Sequence, residues 1–336
     1  MVVEQFDVLP CNMPQSDPGW RFSIHANRVS KGWLVQLVTD TGVTGYGYAS
    51  ATRHMGASAE GLKSALDAFA PLVIGRDPFD IEATLAALDH ELSGINQAKA
   101  AIDCAMHEII ARSLDLPLHG LFGGTVRDEV AVMRVLSIKD PDEMAKRGRD
   151  LVADGYRFIK IKVDGHVNDD YERVRAIRKA VGPDIRLTID ANQAYVPKDA
   201  VLIAGRVADL GVEIFEQPVA ADDHDGLKLV TDNTPITVEA DESAGSLREV
   251  MVLVSNRIVD AVSLKLPKLG GLRNAIAAAR VCEAGRIRCR FGAHVGPRLM
   301  SAQAAHLAAG LAELDSRVNS GSSCALPTTP QKASRM

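Results

Sequence analysis

FIKIKVDG, residues 158–165, is a short apolar run that carries two lysines, Lys160 and Lys162, close to its C-terminal end. Apolar runs that end in a polar residue recur further along at nearly even intervals, in LTIDANQAY (187–195), IFEQP (214–218), VEADES (238–243) and VSLKLPKLGG (262–271). In a parallel β/α barrel, the functional groups sit at the C-terminal ends of the strands and face one mouth. The recurrence therefore predicts such a barrel, with a cluster of charged side chains at its mouth.

Residues 129–318 alternate short apolar runs with amphipathic helical segments, which is typical of a parallel sheet closed into a barrel. The seven candidate strands are VAVMRVL (130–136), FIKIKV (158–163), IRLTID (185–190), VEIFE (212–216), ITVEA (236–240), AVSLKL (261–266) and RCRFG (288–292). An eighth strand is expected near residues 314–318. Residues 319–336 are polar and lack a periodic pattern, so we expect a disordered tail there.

Residues 1–128 have a different texture and predict a separate α+β domain. WLVQLVTDTGVTGYGYA (33–49) indicates two strands joined by a tight turn at residues 40–42. Apolar residues at helical spacing then predict helices over 59–72, 78–92 and 97–114.

Composition and charge exclude several classes of protein. The 336 residues are 46% apolar and 24% charged, which is typical of a globular enzyme and enough for a barrel plus a smaller domain. The net charge of −5 offers no basic face for nucleic acid. The sequence contains no run of about 20 apolar residues, so no membrane span is predicted.

Cysteine usage and the N-terminal sequence indicate the cellular compartment of the protein. MVVEQFDVLP lacks the charged start and apolar core of a signal peptide. The five cysteines are scattered without metal-ligand spacing, so we expect reduced thiols in a cytoplasmic protein and no zinc site.

Three acidic residues, Asp190, Glu216 and Asp241, end successive strands of the predicted barrel. Mg²⁺ prefers hard oxygen ligands in an octahedron and keeps positions open for water or substrate. A single acid at the start of a loop is usually only solvated, but three at matched strand ends would point toward one centre. They predict a Mg²⁺ site, with Mn²⁺ as an alternative ion.

Neighbouring polar residues compete with these ligands or support them. Glu239 shares a strand face with Asp241, but Asp241 is nearer the end of the strand and is preferred. Glu242 faces the other way and is interpreted as a partner that orients a ligand from behind. Asn192 either orients a metal-bound water or a lysine, or only completes a turn.

Lys160 and Lys162 are two residues apart, so in a strand their side chains face the same side. Two neighbouring ammonium groups repel, which lowers the pKa of at least one of them, and a divalent cation acts in the same direction. A lysine that titrates near neutral pH serves as a general base. Lys162, nearer the strand end, is therefore assigned as the base and Lys160 as the neighbour that tunes it.

Lys265 ends a strand four positions further on, across the barrel from Lys162, where it could address the opposite face of a substrate. Lys268, in the loop beyond, is expected to be solvated. A metal flanked by two bases suits removal of the α-proton of a carboxylate, because the charge of the enediolate develops on oxygens that the metal already holds. The predicted reaction is proton abstraction from a small-molecule carboxylate.

The lysine pair of IKIKVDG, then DANQAY, FEQP, ADES and the first lysine of SLKLPKLGG, resemble in order and spacing the enolase superfamily and its muconate lactonizing enzyme subgroup. VTDTGVTGYG (38–47) and AAIDCAMHEIIARSLDLPLHGLFGG (100–124) are similar to the capping domain of that family. The resemblance covers about residues 1–312. It implies a (β/α)7β barrel with an N-terminal α+β capping domain that closes over the substrate.

The resemblance also implies functional roles. Asp190, Glu216 and Asp241 would hold Mg²⁺, and Lys162 and Lys265 would form the acid/base pair. Two cap loops, near residues 13–24 and 50–55, would set specificity. A homo-oligomer is implied as well, because barrels of this family commonly assemble.

Three features depart from the family pattern. Tyr48 stands where many members have an acidic residue. His294, in FGAHVGPR, follows the seventh strand and either touches the substrate or is only solvated. Residues after 314 do not match, although the last strand of the family often helps to bind substrate. The His–Asp dyad of the mandelate racemase subgroup is not matched, because Lys265 occupies the sixth strand.

The leading hypothesis is a Mg²⁺-dependent isomerase that acts as a racemase, epimerase or cycloisomerase on a small carboxylate, since two lysines on opposite faces suit 1,1-proton transfer. The alternative is a Mg²⁺-dependent dehydratase of a hydroxy acid or hydroxylated amino acid, which needs the same enediolate. A third hypothesis is a catalytically silent relative that binds metal or ligand, because a fold alone does not fix function.

Overall fold

The computed structural model of the chain describes residues 1–14, 17, 19–23, 29–294, 296–311 and 317–319. The predicted disordered tail lies outside these residues except for its first member, Asn319. Among the described residues, no helix is long and apolar enough to span a membrane.

The N-terminal part combines a three-stranded antiparallel sheet with three helices. Its strands are β1 (Val3–Pro10), β2 (Met13–Pro14), β3 (Val29–Ser30), β4 (Gly32–Thr39) and β5 (Thr44–Ser50), and its helices are α1 (Ala59–Val73), α2 (Ile81–Glu91) and α3 (Asn96–Ser113). Short 3-10 turns cover Arg53–Met55 and Leu118–Phe122. The sheet order is β1-β4-β5, and β2 pairs with β3 separately.

The predicted hairpin and the three predicted helices are confirmed. Strand β1 was not predicted, because only Val3 among its residues is buried and the apolar alternation that marks a strand is therefore weak. The boundary at residue 128 stays a prediction.

The C-terminal part is an eight-stranded parallel barrel wrapped by helices. Its elements are β6 (Ala131–Leu136), α4 (Pro141–Ala153), β7 (Phe158–Lys162), α5 (Val167–Val181), β8 (Arg186–Asp190), α6 (Pro197–Ala208), β9 (Val212–Glu216), α7 (His224–Asp232), β10 (Thr237–Ala240), α8 (Leu247–Ser255), β11 (Ala261–Leu264), α9 (Leu266–Leu269), α10 (Leu272–Gly285), β12 (Arg288–Phe291), α11 (Arg298–Gly310) and β13 (Arg317–Asn319). Strands β6 to β12 pair in chain order, β13 pairs with β6, and β12 lies against β13. The predicted (β/α)7β barrel is confirmed.

All seven candidate strands are present. The eighth strand, expected near residues 314–318, is short and covers Arg317–Asn319, where it runs parallel to β6. Residues 312–316 lie outside the described part of the chain.

Strand alternation decides which side chains enter the barrel. In β7, Ile159 and Ile161 are fully buried in the apolar layer that packs against helices such as α5. Lys160 and Lys162 alternate with them and meet carboxylates of neighbouring strands. The lysine pair therefore points into the barrel, away from the surrounding helices.

Helix α3 joins the N-terminal part to the barrel. Asp103 is fully buried, and its Oδ2 accepts a hydrogen bond from the N–H of Leu272 at the start of α10. The Asn96 Nδ2 donates to the carbonyl oxygens of Gly245, at 3.1 Å, and Lys268, at 2.6 Å. These bonds fix the loops that follow β10 and β11, where polar residues of the barrel mouth begin.

Strand β5 approaches α3 closely enough that only glycine fits at Gly47, where a Cβ atom would overlap the backbone carbonyl of Ala101. We expect Gly47→Ala to destabilise the protein by about 1–3 kcal/mol through overpacking. The control is Gly205→Ala in α6, where a Cβ atom meets nothing within 4 Å, so better helix propensity should stabilise by about 0.5–1 kcal/mol. Urea unfolding of both variants checks the opposite signs. A Gly47→Ala variant as stable as the parent would contradict this packing.

Candidate active site

Lys162, Asp190 and Glu216 stand side by side at the mouth of the barrel. Each is the last residue of its strand. In the parallel register, Lys162 is paired with Asp190, and Asp190 with Glu216. The sheet therefore brings one predicted base and two predicted metal ligands into direct contact.

Two lysines bridge these carboxylates. The Lys160 Nζ donates to Asp190 Oδ2 at 2.9 Å and to Glu216 Oε2 at 2.6 Å, and the Lys162 Nζ donates to Asp190 Oδ2 at 2.6 Å. All four side chains are buried. Burial raises the pKa of Asp190, but the charges of Lys160 and Lys162 outweigh it and hold that pKa below its ordinary value.

The predicted lowering of the pKa of at least one lysine of the pair is not found at Lys160. Burial lowers the pKa of its ammonium group, but Asp190 and Glu216 outweigh burial, so the pKa lies above the ordinary lysine value. Across the barrel, carboxylates dominate, and Lys160 is held as a cation between two of them.

Asp241 lies just beyond β10 and meets two other lysines. The Lys265 Nζ donates to Asp241 Oδ2. The Lys268 Nζ donates to Asp241 Oδ1 at 2.6 Å and to the Ser263 carbonyl oxygen at 2.9 Å. Burial raises the pKa of Asp241, but the charges of Lys265 and Lys268 outweigh it and hold the pKa well below its ordinary value.

The expectation that Lys268 is solvated is wrong, because its side chain is only 1% exposed. The single helical turn α9 brings the side chain back to Asp241 and Ser263. Burial lowers the pKa of the Lys268 ammonium group, against the opposing effect of Asp241. Pro267, which favours the first turn of a helix, was the sequence signal that a turn rather than an open loop follows Lys265.

Asn192 connects Lys162 to Glu242. Its Oδ1 accepts from the Lys162 Nζ at 2.5 Å, and its Nδ2 donates to Glu242 Oε1 at 2.9 Å. Its backbone also completes a turn, because its N–H donates to Asp190 Oδ1 at 3.0 Å and its φ is 43°. Both interpretations of Asn192 from the sequence therefore fit its contacts. Burial, with the charges of Asp241 and Asp190, raises the pKa of Glu242 to about 7.

His294 and Tyr48 were the two uncertain positions of the predicted site. His294 is 8% exposed, so the alternative of a merely solvated histidine does not hold, and contact with substrate stays a prediction. The Tyr48 hydroxyl donates to the carbonyl oxygen of Cys11 at 3.2 Å. Tyr48 therefore ties β5 to the segment that follows β1.

A segment of the N-terminal part covers the mouth over Lys162. The ring of Phe22 lies 5.4 Å from the Lys162 Nζ. Next to it, the Ser23 hydroxyl donates to the Ala191 carbonyl oxygen at 2.7 Å, and Arg21 pairs with Asp164 at 2.9 Å. The first predicted cap loop therefore reaches the charged cluster. Residues 15, 16, 18 and 24 of that loop are outside the described residues.

The interior of the barrel contains one more charge pair, which the sequence pattern did not single out. Arg290 of β12 donates through Nε and Nη2 to the two carboxylate oxygens of Glu239, at 2.6 Å and 2.5 Å. Arg290 Nη2 also donates to Glu216 Oε2 at 2.5 Å. Glu239 therefore pairs with Arg290, whereas Asp241, just beyond the same strand β10, pairs with Lys265 and Lys268.

The donor chemistry of the cluster fits a divalent cation. Asp190, Glu216 and Asp241 offer carboxylate oxygens from three neighbouring strands, and the buried Glu216 Oε1 has no hydrogen-bond partner among the described residues. Lysines engage other oxygens of these acids. Over the described residues, no three His, Cys, Asp or Glu side chains stand close enough together to form a metal site by themselves.

Two family models match most of the chain. Residues 9–123 match the mandelate racemase / muconate lactonizing enzyme N-terminal domain, and residues 143–323 match the enolase C-terminal domain-like family. This chain belongs to the enolase superfamily. Its barrel, its N-terminal part and the order of its strand-end residues are those expected of the muconate lactonizing enzyme subgroup.

Several curated enzymes are similar in sequence. The L-Ala-D/L-Glu epimerase of Clostridium acetobutylicum is 33% identical, over 92% of this chain and 87% of that protein. The hydrophobic dipeptide epimerase of Enterococcus faecalis is 37% identical, over 82% and 78%. A chloromuconate cycloisomerase of Cupriavidus necator is 34% identical, over 76% and 70%. A cis-3-hydroxy-L-proline dehydratase of Roseibium aggregatum is 31% identical, over 82% and 75%.

A solved structure gives the same fold. The dipeptide epimerase of Enterococcus faecalis V583, complexed with Mg and the dipeptide L-Leu-L-Tyr, superposes with a TM-score of 0.92 at 33% identity, over 95% of this chain and 90% of that one. The enolase superfamily member described here is therefore an enzyme, an isomerase of the racemase, epimerase or cycloisomerase kind.

Lys268 is a fully buried cation that pairs with Asp241. We expect Lys268→Met to destabilise the protein, toward the lower end of the about 3–5 kcal/mol that breaking a buried pair costs, because Asp241 then keeps Lys265 as its remaining lysine partner. Lys228→Met is the control, since Lys228 pairs with Asp232 on the surface and should change stability by less than about 1 kcal/mol. Urea unfolding of the metal-free protein measures both. Equal effects of the two substitutions would contradict the proposed burial of Lys268.

Proposed function

We propose that this isomerase is a divalent-metal-dependent epimerase or racemase that inverts the α-carbon of an acylated amino acid, such as a dipeptide or an N-acyl amino acid. The observation that carries the proposal is the placement of Lys162 and Lys265. Lys162 ends β7 and Lys265 directly follows β11, and these strands are four apart in an eight-stranded barrel and therefore on opposite sides of it. A planar intermediate between them presents one face to each lysine.

Similar enzymes as well as the positions of the two lysines support an acylated amino acid as the substrate. Two epimerases of dipeptides are 33% and 37% identical over most of the chain. Inversion needs a base and an acid on opposite faces, whereas loss of a leaving group needs only one base and an acid near that group. Two buried lysines at matched positions therefore favour inversion.

Asp190, Glu216 and Asp241 would hold the metal, Mg²⁺ in preference to Mn²⁺. When bound, a divalent cation stabilises the negative charge that develops on the carboxylate oxygens of the substrate as the α-proton leaves. The buried, unbonded Oε1 of Glu216 supports this assignment, because a carboxylate oxygen without a donor is costly away from water.

The lysines would move the protons. Lys162, in its neutral form, takes the α-proton on Nζ from one face, and the Lys265 ammonium delivers a proton to the same carbon from the other face. Burial lowers the pKa of Lys265, but Asp241 and Glu216 outweigh it and keep the pKa above the ordinary value, so Lys265 is held in its ammonium form. In the reverse direction the two lysines exchange roles.

Neighbouring groups would orient these lysines. Asn192, supported by Glu242, holds the Lys162 Nζ through its amide oxygen. Lys160 bridges Asp190 and Glu216 as a fixed cation. Phe22 shields one side of Lys162, and His294 is proposed to contact the part of the substrate nearest β12.

We also propose a cellular location, a type of partner and an oligomeric state for the enzyme. The described cysteines are all free thiols, which supports a reducing, cytoplasmic location. The substrate is a small molecule, with no role for nucleic acid or membrane, and the barrel is expected to assemble as a homo-oligomer.

Removal of a proposed ligand should weaken metal binding. We expect Asp190→Asn and Glu216→Gln each to lower the Mg²⁺ affinity by at least about 10-fold. Asp199→Asn, an exposed acid at the start of α6, is the control and should bind as the parent does. Titration calorimetry with Mg²⁺, repeated with Mn²⁺, measures the three variants. Unchanged affinity in both ligand variants would show that the metal site is misassigned.

Activity on a panel of carboxylates tests the reaction. The protein with Mg²⁺ is incubated with dipeptides, N-acyl amino acids, proline derivatives, hydroxy acids and muconates, and chiral chromatography follows the products. We expect a new epimer from an acylated amino acid. Lys162→Ala and Lys265→Ala should each slow inversion by about 10²–10⁴-fold, and Lys228→Ala should not. An olefin or keto acid that forms at an undiminished rate without Lys265 would replace the epimerase with a lyase.

A further inference from the structure

Four charged side chains, one of them the proposed metal ligand Glu216, form a buried network inside the barrel. Lys160, Glu216, Glu239 and Arg290 are each no more than 1% exposed. They come from β7, β9, β10 and β12, so the network joins both sides of the barrel. Two of its members, Glu239 and Arg290, have no role in the proton transfer described above.

The two oxygens of Glu216 have opposite surroundings. Its Oε2 accepts hydrogen bonds from Arg290 Nη2, at 2.5 Å, and from the Lys160 Nζ, at 2.6 Å. Its Oε1 has no hydrogen-bond partner among the described residues, and the nearest recorded cation is the Lys265 Nζ at 3.9 Å. Oε2 of Glu216 is therefore anchored by two donors, and Oε1 is available to bind a cation.

We propose that Arg290 and Glu239 are positioning residues that anchor Oε2 of Glu216 and so present Oε1 to the metal. The inference rests on the proposed function, because it takes Glu216 as a ligand. Glu239 engages two nitrogens of the guanidinium group, which fixes its plane, and the remaining hydrogen of Nη2 is directed to Glu216.

Charge balance explains why an arginine is needed at this position. Glu216 and Glu239 are register partners on adjacent strands, and two like charges placed opposite each other repel. Arg290 lies between them and bonds to both. Its planar fork bonds Glu239 through two nitrogens while it also reaches Glu216, whereas a lysine would offer a single compact charge.

If Arg290 and Glu239 only stabilise the fold, replacing both should leave Mg²⁺ affinity unchanged, whereas a positioning role predicts weaker binding. A buried ion pair replaced by apolar residues of similar volume is often neutral or stabilising. The double variant Arg290→Met/Glu239→Met should therefore fold, while Oε2 of Glu216 keeps only Lys160. We expect its Mg²⁺ affinity to fall by about 10- to 100-fold, the usual effect of losing a group that orients a metal ligand, with no loss in the thermal unfolding midpoint of the metal-free protein.

The experiment is titration calorimetry with Mg²⁺ on the full chain, with thermal unfolding of each metal-free variant. Arg186→Met/Glu213→Met is the matched control, because this pair also joins two strands of the barrel but is partly exposed and lies at their opposite ends. It should bind Mg²⁺ as the parent does. Arg290→Lys keeps the charge and should fold, but should bind Mg²⁺ more weakly than the parent.

The results distinguish failure of the role proposed for Arg290 and Glu239 from failure of the metal site itself. Weakened binding in the Arg290/Glu239 double variant, with parental binding in the control, supports the inference. Parental affinity in that double variant overturns it and leaves the metal site intact. If the double variant does not fold, Arg290→Lys decides in the same way. A parent protein that binds no Mg²⁺ overturns both this inference and the proposed metal site.

Discussion

The mutual neutralisation of buried acids and bases is the constraint on which the rest of this site depends. Asp190, Glu216 and Asp241 are almost fully removed from water, and isolated carboxylates in that environment would be costly. Each is compensated by basic side chains that come from other strands, including Lys160, Lys265 and Arg290. The chemistry proposed for the enzyme uses the same groups that make the burial tolerable.

The barrel makes this compensation possible because parallel pairing places the ends of neighbouring strands side by side. Lys162, Asp190, Glu216 and Glu239 are paired in sequence across β7, β8, β9 and β10. Apolar residues between them face the helices, so each strand contributes to the apolar layer and to the polar interior at once. Helix α3 then ties the loops beyond β10 and β11 to the N-terminal part of the chain.

Strand-end spacing was sufficient to predict the architecture and the convergence of Lys162, Asp190 and Glu216, because period-two alternation and parallel register are local rules. Lys268 could not be placed in this way. Its burial depends on the turn α9, which returns the side chain to Asp241 across a distance that spacing alone does not encode.

Arg290 escaped prediction for a related reason. A lone arginine in an apolar strand is compatible with a solvated edge, and only the closed barrel places it between Glu216 and Glu239. The pairing of Lys160 with Asp190 and Glu216 is likewise set by the closed barrel, and the charges of these two acids hold its pKa above the ordinary value. The predicted eighth strand is present as β13, and of the predicted tail only its first residue, Asn319, lies among the described residues.

The central claim is that two lysines serve opposite faces of one α-carbon. The most direct measurement is proton NMR in D₂O, with Mg²⁺, of each separate epimer of a dipeptide substrate incubated with Lys162→Ala or Lys265→Ala. The account predicts that each variant exchanges the α-proton of one epimer only, that the two variants choose opposite epimers, and that neither inverts. Exchange of the same epimer by both variants, or of both epimers by either one, would contradict it.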